Sequence, residues 1–567
     1  MTTARPTPST CVLLLAVAAF LLLFLVYPVA HSAGAAFVHE GKPSLLLAKG
    51  VLDNPLYRDS LTNSFKVALA TTFLALLFSL PPAYLLARVR LRGKTLLNAL
   101  LLVPLVLPPF VGAIGVRQIL SRYGLVNAAL LKLHLIRDEI DWLAPGSYAF
   151  WLVVVMEALH LYPILYLNLA AAWANLDPSM EEAAECLGAR PLRLFRTVTF
   201  PLLSPGLFAG GIIVFIWSFT DLGTPLLFNY TELVPVQVFN SLQDQNSNPA
   251  GHVLAVLVLV ITSICFALSR WLVGRQHLEM SGRALAATRE HTLSISMLTL
   301  TLLPVLLLVC LALVPHLTVL LASLAKDWGM DPLPEWRSDP HLLGNYVEVF
   351  RSEQTARAIR ISVLCSVAST AVDLLLGFAV AYVLCRQRFL GRGLLDTVTM
   401  LPLAIPGVVL AFGYVGAFSG TALDPRDNPI PLLIISYAVR RLPFSVRSVM
   451  AGLQQTHPSL EEASLNLGAS RFHTVRKITL PLVAANLIAA GIMVFAFSML
   501  EVSDSLILAL KEEYSPITKA IFDLTTRPGD GPFVASAMGV LGMVLLAATF
   551  LLAARLLGKR MGELFRA

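Results

Sequence analysis

The sequence predicts an all-α polytopic membrane protein of about twelve transmembrane helices, arranged as two parallel six-helix repeats. Three observations carry that expectation. Charged residues make up only 14% of the 567 residues and the AVILMFWYC set 56%, with a mean hydropathy of +0.74. A soluble globular chain is about 25% charged, so this one lacks the charge to cover a water-exposed surface. The apolar residues fall in runs, many of which reach the roughly 18 residues that read as a bilayer span. Finally, one polar segment that begins at Pro178 recurs from Pro458, an offset of 280 in the numbering. A cytosolic enzyme and a disordered scaffold are excluded from the start.

The spans follow in order, with ends set by charge, proline and turn residues. Span 1 (11–30) is longer than the 7–15-residue core of a signal peptide and is expected to be retained, although Ala33-Gly34-Ala35 offers a cleavage site. Span 2 (62–87) opens at Asn63-Ser64 and stops at Arg88, Arg90, Arg92 and Lys94. Span 3 (96–116) contains Pro104 and Pro108. Span 4 (147–170) carries Glu157 and His160, one helical face by i, i+3 spacing. Span 5 (203–220) ends at Asp221, and span 6 (250–273) runs into a polar linker, 274–291. Span 7 (294–323) begins the second half. Span 8 (359–385) carries Asp373 and stops at Arg386, Arg388 and Arg392. Span 9 (394–418) contains Pro402 and Pro406, span 10 (430–447) Arg440 and Arg441, and span 11 (484–503) Glu501. Span 12 (533–556) precedes Lys559, Arg560 and Arg566. The expected domains are therefore 1–273 (core 62–273), the linker 274–291, and 292–567 (core 359–556).

Net charge is +7, from 42 Lys+Arg against 35 Asp+Glu. In a membrane chain the excess collects on cytoplasmic loops, so it gives no reason to expect nucleic acid. With alternating spans, the basic stretches after spans 2, 8 and 12 share one side, which makes both termini cytoplasmic. The six cysteines form no CxxC pair, and neither a metal site nor a disulfide framework is expected.

The repeat is sharpest between Pro178–Leu202 and Pro458–Leu482, where 12 of 25 positions are identical. Upstream, Pro104–Pro108 (PLVLP) matches Pro402–Pro406 (PLAIP) at the larger offset of 298. The difference between the two offsets is extra chain in the first half, and it falls in the external stretch 117–146. An even number of spans per copy makes the copies parallel.

The matched segment lies on the cytoplasmic side, between spans 4 and 5 of each half. It follows the pattern E-A-(A/S)-x3-G-x9-(I/V)-x-(L/F)-P. The first copy is Glu182, Ala183, Ala184, Gly188, Val198, Phe200 and Pro201; the second is Glu462, Ala463, Ser464, Gly468, Ile478, Leu480 and Pro481; a further glutamate, Glu181 or Glu461, directly precedes each. Ser179 and Ser459, each followed three residues later by a glutamate, read as capping boxes that open a short helix. Gly188 and Gly468 read as its left-handed ends. A short basic helix follows, and Pro201 and Pro481 restart the chain into the next span.

These residues resemble the EAA loop of the type I ABC importer permeases, over about 62–273 and 359–556. The stretches Asn63-Ser64, Pro104–Gly112, Phe219–Pro225 and Val439–Pro443 are similar to the fused, two-halves-in-one-chain permeases of the ferric-iron type; thiamine and 2-aminoethylphosphonate permeases share that design. The resemblance implies the type I permease fold in a bacterial inner membrane. It implies that the two loops are coupling helices docking on two ATP-binding subunits that form a homodimer. It also implies a periplasmic or lipid-anchored substrate-binding protein, and ferric iron as first choice of substrate. No cofactor is expected on this chain, ATP-Mg belonging to the partner, and no enzyme activity.

Gly93-Lys94-Thr95 imitates the end of a phosphate loop, but position 88, where the first glycine belongs, is Arg88. Ionisable residues at membrane depth are functional candidates. The expected substrate path therefore includes Pro104, Pro108, Glu157, His160, Asp221, Asp373, Pro402, Pro406, Arg440, Arg441 and Glu501. The guanidinium forks of Arg440 and Arg441 suit a phosphonate group; the structural alternatives are that they pair with an acid such as Asp373 or Glu157, or sit at the cytoplasmic end of a short span 10. A competing reading is a secondary transporter using Asp373 and Glu157 as proton carriers; the paired loop stands against it. An intramembrane enzyme would need a nucleophile–base or metal cluster that the sequence does not offer.

Overall fold

The computed structural model describes residues 8–39, 42–144, 147–174, 176–242, 250–276, 292–329, 331, 333–338 and 341–557. Most of the expected linker, from 277, and the basic residues Lys559, Arg560 and Arg566 lie outside them.

All twelve expected spans are helical. Eight are single helices long and apolar enough to cross a bilayer. Three, the third, ninth and eleventh, are helix pairs bent at a short break, as in Arg392–Leu403 and Gly407–Ala417, which meet at 102°. The tenth, Ile430–Gln455, is a 26-residue helix that carries Arg440, Arg441 and Arg447 along its length. Span 6 continues to Gln276, into the segment expected to be linker.

The second spans of the two halves superpose in sequence. Pro55–Arg88 and Glu353–Arg386 are each 34 residues long, and both their starts and their ends keep the offset of 298. At 1.5 Å per residue each is roughly 51 Å long, well beyond a hydrocarbon core of about 30 Å, so part of each stands outside the bilayer. A short amphipathic helix precedes each, Leu46–Asp53 and Gly344–Arg351.

Span 1, helical from Pro8 to Phe37 through a π-turn at Leu22–Val26, packs on the second half. Tyr414 Oη donates to the Phe24 carbonyl (2.6 Å) and Tyr27 Oη to that of Ala417 (3.3 Å). The π-turn lies where Phe24 takes this outside donor. Span 7 packs in return on the first half, where a methyl on Gly115 would stand 2.0 Å from the Pro315 carbonyl oxygen. Only a glycine lets those two backbones approach so closely. Each half thus lends its first helix to the other's broken third helix.

Candidate functional site

The loop between spans 4 and 5 folds as two short helices, as expected, but starts differently. The first helix is Pro178–Cys186, and its N-cap is Asp177, whose carboxylate accepts from the Ser179 amide (2.9 Å). In the second copy, Ser459–Asn466, His457 Nδ1 takes the same place, accepting from the Ser459 amide at 3.2 Å. The serines are not the caps. Pro178 is the first residue of its helix and Pro458 already has helical backbone angles. A proline suits that place because its φ is pre-set and it needs no acceptor.

The helix ends match the expectation. Gly188 has φ +80° and Gly468 φ +86°. In each copy the glycine amide bonds three residues back (Glu185 O, 2.9 Å; Leu465 O, 3.0 Å). The next amide bonds five back (Ala184 O, 3.0 Å; Ser464 O, 3.1 Å). This double bond is the Schellman end, which satisfies the orphan carbonyls of the last turn.

Pro201 does not restart the chain. Residues Pro191–Thr220 form one continuous helix that absorbs the junction as a π-turn at Phe195–Thr199. In the second copy a π-turn at Val475–Thr479 precedes Pro481, and the break falls at Val483, before a 73° bend.

The paired glutamates divide their roles. Glu182 and Glu462 are exposed, as are Ala183 and Ala463, whereas Glu181 and Glu461 turn inward. Glu181 lies 2.8 Å from the Arg88 guanidinium and accepts from Thr199 Oγ1 at 2.8 Å. Glu461 pairs with Arg386 at 3.0 Å, and Arg386 also donates to Thr456 Oγ1 (2.9 Å) and its carbonyl (3.1 Å). Ser464 bonds Thr474 across the two short helices, 2.9 Å apart. The loop is thus tied by one buried ion pair per copy to the C-terminal end of span 2 or span 8. Sequence reasoning placed Arg88 and Arg386 only as inside-loop charges, but their shared offset of 298 was a usable signal. On the outer face of the knob, large apolar side chains are left uncovered by the protein at matching places: Leu187 and Leu467 (both 89% exposed), Leu192 and Phe472 (81% and 75%), and Met180 and Leu460.

Inside the membrane the structure groups some of the expected residues and separates others. Pro104, Pro108, Pro402 and Pro406 are buried at the breaks of spans 3 and 9. Pro108 has no N–H, so the Pro104 carbonyl lacks its helical donor; His160 Nδ1 lies 2.7 Å from that oxygen and, as the Nδ1–H tautomer, supplies it. In the second half Arg440, Arg441 and Glu501 come together, with Asp504, which the sequence reading missed. Both guanidinium groups bond Glu501; Arg440 also reaches Asp504 (3.3 Å) and Arg441 the Phe497 carbonyl (3.3 Å). Asp504 further accepts from Ser436 (2.8 Å).

The expected partners of the arginines are therefore corrected. Asp373 instead accepts from Ser445 Oγ (3.1 Å), and Glu157 is paired with neither arginine. Asp504 sits about one helical turn past Glu501, the signal that could have found it. Asp221 accepts from the Thr224 amide (3.0 Å) and so opens the short helix Gly223–Leu227. Glu157 is 3% exposed, and neither carboxyl oxygen makes a well-formed hydrogen bond, although the Ser218 hydroxyl faces it.

Residues 75–277 and 373–563 match the family described as binding-protein-dependent transport system inner membrane component. The starts of the two matched segments keep the offset of 298 seen in the repeat. The ferric transport system permease protein FbpB of Actinobacillus pleuropneumoniae is 27% identical over 556 residues, covering 95% of this chain and 77% of that protein. The molybdenum transport system permease protein ModB of Escherichia coli is 30% identical over 227 residues, covering 38% of this chain and 95% of that protein.

Proposed function

Since the chain belongs to the binding-protein-dependent transport system inner membrane component family, as an ABC importer permease with two halves fused, we propose that it carries ferric iron across the membrane. In this reading a separate external binding protein delivers the iron. Two copies of an ATP-hydrolysing subunit drive import by alternating access, one on each loop knob. The units that rock are the repeat cores 62–273 and 359–556, each carrying the first helix of the other repeat; the repeats 1–273 and 292–567 are joined by the linker 274–291, with both termini cytoplasmic.

The observation that carries the coupling role is the doubled apolar knob. Leu187, Leu192 and Met180, and Leu467, Phe472 and Leu460, lie outside the spans yet are covered by no other part of the chain. Apolar surface of that kind, rimmed by polar residues, marks a protein interface. The ion pairs beneath it, Arg88–Glu181 and Arg386–Glu461, give a push on the knob a rigid route into spans 2 and 8.

The observation that favours iron over a phosphonate is that Arg440 and Arg441 are already occupied by Glu501 and Asp504. Two positive and two negative charges leave no free guanidinium fork for an oxyanion. Glu157 and Asp221, on the other side, are carboxyl groups in no ion pair among the described residues. Uptake of radioactive ferric iron in cells lacking their own ferric permease, with this chain supplied alongside its binding protein and ATPase, tests the reading. ATP-dependent uptake supports it. Growth on 2-aminoethylphosphonate as sole phosphorus source without iron uptake, or uptake that follows a proton gradient in the absence of ATP, overturns it.

A further inference from the structure

The offset of 280 sets two polar clusters in correspondence. Arg440, Glu501 and Asp504 stand where the first half has His160, Asp221 and Thr224, and Tyr437 stands where it has Glu157. In the second half the acids are held by guanidinium groups. In the first half nothing replaces those cations: among the described residues neither Glu157 nor Asp221 is in an ion pair.

What surrounds Glu157 is oxygen. Ser218 and Asp221, at the end of span 5, are the polar and charged groups that face it, and Thr224 stands over Asp221. Ser218 is 3% exposed and Thr224 fully buried. Both hydroxyl oxygens lack a well-formed hydrogen bond, as do both oxygens of Glu157. Buried polar atoms in native proteins are satisfied by protein, water or an ion. A carboxylate can take up to about four donors, and two hydroxyl protons do not fill that capacity. The unmet atoms are hard carboxyl and hydroxyl oxygens, the donor set of a hard cation and the opposite of an oxyanion site.

The cluster also borders the seam between the halves. A methyl on Gly223, which lies close after Asp221 in the chain, would stand 3.0 Å from Phe110 and 3.0 Å from Val502 of the second half, and Val502 adjoins Glu501. Among the described residues no three His, Cys, Asp or Glu side chains stand close enough to hold a metal ion, so this is no storage cage.

We propose that Glu157 and Asp221, with the Ser218 and Thr224 hydroxyls, form a weak, one-sided site for a hard cation on the first-half wall of the path. The Arg440–Glu501–Asp504 network of the other half supplies the electrically closed wall opposite. As a station for the cargo, the site rests on the ferric reading above; as a cation site, it does not.

Terbium(III), a hard, redox-inert trivalent probe, tests the site on the full chain in nanodiscs of neutral phosphatidylcholine. The expected result is saturable binding of one terbium per chain, displaced by ferric citrate. Glu157→Gln should weaken binding about tenfold or more, and the milder Ser218→Ala should weaken it less. Asp59→Asn, which removes an exposed acid on the outer end of span 2, should leave binding unchanged. No saturable binding to the wild-type chain, or equal binding to the wild type and Glu157→Gln, overturns the site whatever becomes of the variants' folding. The uptake assay reads the ferric reading separately. Iron uptake without terbium binding sinks the site and leaves the function; terbium binding without iron uptake sinks the function and leaves a cation site.

Discussion

Gly188 and Gly468 have φ of +80° and +86° with open space around the position of a side chain, so their constraint is conformational and not steric crowding. Alanine there should cost about 1–2 kcal/mol, whereas proline, with φ locked near −65°, cannot form the helix end. In a chain carrying both Gly188→Pro and Gly468→Pro, we expect normal membrane insertion and loss of substrate-stimulated ATP hydrolysis in the complex. Wild-type stimulation would refute the coupling role. The inward glutamates make a sharper case. The Arg386–Glu461 side chains are nearly buried, 9% and 11% exposed, and breaking such a pair strands a charge at a cost of about 3 kcal/mol or more. Arg386→Glu should therefore abolish transport, and adding Glu461→Arg should restore part of it. A double variant no better than the single would show that the pair does not act as a unit. These glutamates were legible as a motif, but which of the two neighbours turns inward was not. Adjacent helical positions point about 100° apart, and the sequence does not mark which side the span lies on.

At the scale of elements, the apolar runs were legible because a bilayer demands unbroken length, and each expected span is helical. What the runs concealed was shape. The prolines announced a break in spans 3 and 9, but the 102° bend of Arg392–Leu403 against Gly407–Ala417 depends on what meets the broken ends. In span 9 that is Arg440, whose guanidinium occupies the space where a methyl on Gly407 would be. In span 3 it is His160, bonded to the Pro104 carbonyl. His160→Leu should leave that buried carbonyl unpaired, lowering stability by about 1–3 kcal/mol, seen as a lower unfolding midpoint of the purified chain. An unchanged midpoint would mean that the bond carries no weight. The loop helices were misread at their starts for a related reason: the serine-to-glutamate spacing fits a capping box, but a proline just before the serine already has helical backbone in both copies.

For the whole molecule, the repeat was legible and the exchange of first helices was not, because contacts between positions as distant in the chain as Tyr414 and Phe24 leave no periodic trace. That exchange decides how the halves hold together. Span 1 is pinned to the second half by two tyrosine hydroxyls. Span 7 meets the first half where a methyl on Gly115 would collide with Pro315, and Gly223 abuts Val502 at the seam. None of these contacts depends on the linker. A chain severed between residues 276 and 292, expressed as two fragments, should therefore assemble, co-purify at one to one and support uptake close to that of the intact chain. If each knob claims one ATPase subunit, as proposed above, the complex should hold one copy of this chain per two ATPase subunits, since two copies would present four knobs to a dimer with two places. Native mass measurement reads both claims at once. Fragments that separate on purification would show that the linker, and not the crossed helices, holds the halves. A complex with two permease chains per two ATPases would show that the knobs do not each claim a subunit.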